Sequence, residues 1–211
     1  MSDIPRVRIT FSWLLHKGAS QVLYEQSDWS KENKLASIEQ HEEWSENYRQ
    51  AWKPKSKLIL SAMQEIVDLK FINPSIEVTL APMFYPMSQP LILGFGQSSD
   101  EFVDILTHEL FHVLYTDNQK YSNRDKKDTG TDLNNSDWQK LYGKGHSFVT
   151  LTHIPVHAGL KYIYLDVLKE PKRLDRDIKQ CQQWPEYKKA WEYVEKNDYK
   201  KILEITKESY Q

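Results

Sequence analysis

The sequence predicts an α+β fold, with a small mixed sheet early in the chain and a helical C-terminal part. Three observations carry this. From Arg6 to Leu14 the residues alternate, with Val7, Ile9, Phe11 and Trp13 on one side and Arg8, Thr10 and Ser12 on the other, the period of a half-buried strand. Two more short β-prone runs, Ile76 to Leu80 and Leu91 to Phe95, flank the proline-rich segment Ala81 to Pro90. From Ser98 onward apolar residues recur at helical spacing instead.

Between the first two strands lies a polar, helix-forming stretch from about Ser30 to Trp52. Pro54 is expected to end it before a second amphipathic run from Lys55 to Phe71, because an internal proline removes a helical hydrogen bond. Ser98 and Glu101 then have capping-box spacing, and Phe102, Leu106, Leu110 and Val113 or Leu114 form an apolar stripe, so a helix is expected to end near Asp117-Asn118. Residues Gln119 to Gly145 are polar and read as a long loop with at most one helical turn, a length that is usually functional or mobile. Another helix is expected from Phe148 to Leu168, started or kinked by Pro155. After Pro171 the chain reads as two or three short charged helices.

With 211 residues the chain can bury a sizeable core without internal staples. Its formal net charge of -2 argues against nucleic-acid binding through bulk positive charge. No stretch approaches the length of an apolar membrane span, and Met-Ser-Asp-Ile-Pro-Arg lacks the plan of a signal peptide, so the expected setting is the cytoplasm, away from membranes. The lone Cys181 excludes both an internal disulfide and a multi-thiolate metal site, leaving nitrogen and oxygen as the expected ligands for any ion.

Such ligands are present in His108-Glu109-Leu110-Phe111-His112. On a helix, residues i and i+4 lie one above the other, so both imidazoles can face one ion. Glu109 then falls beside the ion but outside its ligand set, where it can take a proton from a water that zinc has acidified to a pKa of about 7 and return it to a leaving amine.

In these residues the chain resembles the zincin superfamily of zinc metallopeptidases. The resemblance covers about Arg6 to Leu168 in the order strand, helix, strand, edge strand, motif helix, later helix. It implies a zincin-like fold, with a small mixed sheet whose edge strand lies over the active-site helix, His108 and His112 as ligands of Zn2+, Glu109 as general base, and a peptide or protein substrate. By chain order, Leu91 to Phe95 would be the edge that pairs with substrate. The expected organisation is a catalytic domain over residues 1–170 with a C-terminal helical extension, 171–211, packed on it.

A catalytic zinc takes three protein ligands and keeps one position open. The metzincin continuation of the motif is missing, since Tyr115 and Asn118 stand where that branch has Gly and His. The peptide deformylase pattern is also missing, because Cys181 lies downstream of the motif. Gluzincins draw the third ligand, a glutamate, from a later helix. Here that helix has no Glu before Glu170 and offers His153 and His157 at i and i+4, with His146 seven residues before His153. His153 is taken as third ligand and His157 as an outer partner or donor to the transition-state oxyanion; the exchange of these two roles stays open. In the Gly130-Thr131-Asp132 segment, which resembles part of the deuterolysin pattern, the spacing to Tyr142-Gly143 does not fit a ligand and a turn is expected. Tyr115, Tyr142, Tyr162 and Tyr164 are candidate oxyanion donors, and Asp104, one turn before His108, could orient a ligand imidazole but is expected to be an exposed helix carboxylate. The alternative function is a zincin-like metal-binding domain without peptidase activity that serves protein interaction; oligomeric state is not encoded in any motif.

Overall fold

The computed structural model describes residues 4–25, 35–118 and 137–210. The chain divides into two compact units, residues 1–57 with 73–110, and residues 58–72 with 111–211. The boundary passes through two helices that are each unbroken: α2 (Ile38–Val67) and α3 (Ser99–Asp117).

The first unit holds β1 (Arg6–Phe11), α1 (Trp13–Glu25), β2 (Ser75–Leu80), β3 (Met87–Ser88) and β4 (Leu91–Leu93). The sheet order is β1-β2-β4-β3. β1 and β2 run parallel from Arg6↔Ser75 to Phe11↔Leu80, and β4 adds parallel to β2 at Leu80↔Leu93. β3 closes the row antiparallel, Met87 opposite Ile92, so the sheet is mixed. The segment Leu91 to Phe95, expected as an edge, is not one: β4 is an inner strand with all three residues buried, and the edges are β1 and Met87–Ser88.

Local chemistry accounts for a second departure. The strand expected to reach Leu14 stops at Phe11, because Ser12 caps a helix: Leu15 N–H donates to Ser12 Oγ (3.3 Å) and His16 N–H to the Ser12 carbonyl (3.0 Å). Trp13, expected on the buried side of the strand, is 52% exposed. The rest of β1 alternates as expected, with Ile9 buried and Arg8 and Thr10 exposed. Tyr48 of α2 stacks on Phe102 of α3 (ring centroids 4.3 Å, planes 2° apart), and its hydroxyl donates to the Gln97 carbonyl (2.9 Å).

Pro54 does not break α2. Losing one helical hydrogen bond costs about 3 kcal/mol, and the helix recovers it through packing, since Tyr48 and Trp52 before the proline and Ile59, Leu60 and Met63 after it are all buried. The helix ends where Asp68 turns left-handed (φ 53°) and Gln64 Oε1 accepts the Phe71 N–H (3.1 Å).

α3 begins on the expected capping box. Ser98 N–H donates to Glu101 Oε2 (2.8 Å) and Glu101 N–H to Ser98 Oγ (3.3 Å). Phe102, Leu106, Leu110 and Leu114 form its fully buried stripe.

In the second unit α4 (Asp137–Tyr142) is followed by α5 (Phe148–Tyr162), which continues as one π-helical segment, Ile163–Val167, marked by Leu168 N–H donating to the Ile163 carbonyl five residues back (2.8 Å). α6 (Pro171–Cys181), α7 (Pro185–Lys196) and α8 (Tyr199–Tyr210) complete the chain, α6 and α7 with proline at the first position, where no N–H is needed. α5 is the core element. From His153 to Leu160 every residue is buried, while Phe148, expected on its apolar face, is 52% exposed. α7 and α8 both pack on α5, so α6 to α8 belong to the same compact unit. Among the described residues no helix is long and apolar enough to cross a membrane.

The approach of α5 to α3 depends on Gly159, where a Cβ would lie 2.4 Å from Phe111 Cζ. Gly159→Ala is expected to lower stability in urea unfolding by about 1–3 kcal/mol through overpacking, with part of the loss recovered in the double variant Gly159→Ala, Phe111→Leu.

Candidate metal centre

The continuous helix α3 carries His108 and His112 one turn apart, and α5 brings a third imidazole to them. His112 Nε2 and His153 Nε2 are 3.3 Å apart, and ring nitrogens of His108, His112 and His153 all lie within 4.8 Å of one another. Two nitrogens bound at about 2.0–2.1 Å to a tetrahedral ion must be roughly 3.3–3.4 Å apart, so the observed separation suits a common zinc. A hydrogen bond between the two rings would also meet that distance. It would not account for a third ring nitrogen within 4.8 Å of both.

The tautomer of His153 is set by its own helix. Its Nδ1 lies 2.6 Å from the Val149 carbonyl, which accepts only an N–H; the proton therefore sits on Nδ1 and leaves the Nε2 lone pair facing His112. Burial lowers His153 to about 4, against the Val149 carbonyl, and lowers His112 to about 3, with His153 adding to the effect. Both rings are thus neutral near pH 7, the form in which imidazole binds metal. Glu109 is 7% exposed, and burial pushes its carboxyl up to about 7. A nearby cation would favour its charged form, as a base requires.

His157, on the same helix, has other neighbours. It is completely buried, its ring stacks on Trp191 (centroids 4.5 Å, planes 14° apart), and burial holds it well below the usual histidine value. A His157 ring nitrogen, the Asp177 carboxylate and the Cys181 thiol come within 4.8 Å of each other, a second group of ligand-type atoms. Asp177 is already engaged: Oδ1 accepts Trp191 Nε1–H (3.0 Å) and the Cys181 thiol (3.4 Å), and Oδ2 accepts the Tyr164 hydroxyl (3.1 Å). Burial and Asp177 push the thiol up, so it stays a protonated donor. The His153 and His157 pair is therefore divided, one ring toward the His112 side and one into the packing between α5, α6 and α7. A group with no exposed surface is badly placed to donate to a substrate oxyanion, which weighs against that role for His157.

The other singled-out residues are dispersed. His146 lies edge-on to Tyr193, with centroids 5.9 Å apart. The Tyr115 hydroxyl donates to the Pro155 carbonyl (3.4 Å), Tyr142 pairs with Thr206, and Tyr164 is held by Asp177; all three are buried. Tyr162 is half-buried. Asp104, expected to be exposed, is 5% exposed and one turn before His108. Asp132 lies outside the described residues. The aromatic that sequence reasoning missed is Tyr187 of α7, whose ring centroid is 4.1 Å from that of His153. Its only sequence signal was its position three residues after Trp184, which does not separate it from eleven other tyrosines.

Comparison with known proteins gives no relative: no family model, no curated protein sequence and no solved structure matches this chain.

Because the unfolded chain has histidines near 6.5 and the folded, metal-free protein keeps His112 and His153 neutral to much lower pH, the unfolded state takes up protons first. Stability of the metal-free protein, followed by urea midpoint, is expected to hold above pH 6.5 and to fall as pH is lowered from there toward 4. A midpoint unchanged over that interval would contradict the neutral-imidazole arrangement.

Proposed function

We propose that this chain is a zinc-dependent hydrolase, most simply a metallopeptidase, with His108, His112 and His153 as ligands and Glu109 as general base. The observation that carries the reading is the convergence of three ring nitrogens within 4.8 Å, with His112 and His153 at the separation two ligands of one tetrahedral zinc require. Zinc held by three imidazoles supplies a Lewis acid that polarises a carbonyl and makes water easier to deprotonate.

The rest of the chemistry belongs to the chain. Glu109 follows the first ligand directly, so it is anchored to the same turn of α3, and its burial makes proton return as accessible as proton removal near neutral pH. His153 is held by the Val149 carbonyl in the tautomer that a ligand needs. The order β1, α1 and α2, β2, edge strand β3, β4, motif helix α3 supports a zincin-like fold, with Met87–Ser88 taking over from Leu91 to Phe95 as the proposed substrate-pairing edge. His157 falls outside the three-nitrogen group, which favours an enzyme over a closed structural site, since four protein ligands would leave no position for water or substrate. Peptides or proteins are the proposed substrates and the cytoplasm the proposed compartment, in keeping with a site that uses histidine and carboxylate and no disulfide.

Protein purified without chelator is expected to hold about one zinc per chain by elemental analysis. Glu109→Gln should keep the metal while hydrolysis of an unfolded protein such as casein falls by at least about 10²-fold. His153→Ala should lose most of the zinc, and His157→Ala should keep it while melting earlier through the cavity left beside Trp191. A metal-free wild type, or full activity in Glu109→Gln, would refute the reading.

A further inference from the structure

We propose that Trp184 and Tyr187 form an aromatic wall beside His153 that receives a large apolar side chain, aromatic or leucine-sized, next to the substrate bond to be cleaved. This rests on the metal reading above and adds the substrate class.

The wall is built by the start of α7. Trp184, Tyr187, Trp191 and Val194 follow one another at helical spacing, so they form a single stripe. At its far end the stripe is ordinary core: Trp191 is 1% exposed and Val194 0%. At its near end it emerges from the protein. Tyr187 is half-buried and Trp184, with a ring of the same size as Trp191, is 45% exposed. Packing explains the buried half of the stripe but leaves nearly half of the Trp184 surface in water.

The emerging half leads to the metal centre. The buried Thr150 hydroxyl donates to the Glu186 carbonyl (3.2 Å), tying the first turn of α5 to the first turn of α7. That tie holds the Tyr187 ring on His153, with centroids 4.1 Å apart and planes at 43°, and Trp184 continues the row 5.8 Å beyond Tyr187. Val149, four residues before His153 and so on the same face of α5, is 41% exposed and apolar. A row of rings thus runs from a proposed ligand outward to solvent, bordered by an aliphatic side chain. A substrate whose carbonyl is held at the metal would have its neighbouring side chain within reach of this row. An aromatic or branched aliphatic group would remove the exposed Trp184 face from water, whereas the rings themselves offer a charged group no counter-charge in exchange for its hydration.

The test uses two small chelating probes on zinc-loaded protein, titrated calorimetrically: phenylalanine hydroxamate and alanine hydroxamate, which share the metal-binding group and differ by one phenyl ring. The phenylalanine compound is expected to bind at least about tenfold more tightly, a difference of about 1.4 kcal/mol. Trp184→Ala should reduce that ratio to below about threefold. Ile72→Ala, which removes an exposed apolar residue elsewhere, should leave it unchanged. Metal content and melting temperature, measured on each variant, separate a lost wall from a lost fold. Equal affinity of the two probes for the wild type, or an unchanged ratio in folded, zinc-bearing Trp184→Ala, would overturn the wall and leave the metal centre standing. Failure of both probes to bind zinc-loaded protein would overturn the metal reading and the wall with it.

Discussion

The structure depends on keeping several imidazoles neutral inside α5 and against α3. An uncompensated buried charge costs several kcal/mol, so a helix can bury His153 and His157 only if each stays neutral and finds partners inside the protein. His153 meets this by giving its Nδ1 proton to the Val149 carbonyl and turning Nε2 to His112. His157 meets it by stacking on Trp191 near Asp177. The same neutrality that folding demands is the form in which imidazole can bind a metal.

That constraint explains the C-terminal helices. α5 is buried around its whole circumference from His153 to Leu160, which a helix achieves only when covered on every side. Within its unit α7 and α8 supply much of that cover, and α6 supplies Asp177, which collects the Trp191, Tyr164 and Cys181 donors. The π-helical segment after Tyr162 inserts an extra residue into the turn just before Leu168, close to Tyr164, which reaches Asp177. The last forty residues, which read in the sequence as a charged appendage, thereby hold one face of the proposed site and carry Tyr187 to His153.

Features encoded by short-range chemistry were legible. The capping box at Ser98 and Glu101, the stripe from Phe102 to Leu114, the alternation of β1 and the proline starts of α6 and α7 each depend on residues within a few positions of one another. Local signals could also compete. Ser12 could continue a strand or cap a helix, and the cap prevailed because α1 follows at once. Pro54 could end a helix or be tolerated, and burial on both of its sides decided for tolerance. Which strand forms the sheet edge was beyond local reading, since Leu91 to Leu93 has the same apolar composition whether it pairs on one side or on both.

The sequence by itself determined that His108 and His112 face one point with Glu109 beside them, because that follows from the rise and turn of any α-helix. It also offered His153 and His157, a pair on one later helix, as candidates for a third ligand. Only the tertiary structure separates the two: positions four apart share a face but not a neighbour, and the packing of α5 turns His153 to His112 while His157 lies against Trp191. It likewise chose Tyr187 among twelve tyrosines, since proximity across residues thirty-four apart is a property of how helices pack and leaves no mark in the order of the chain.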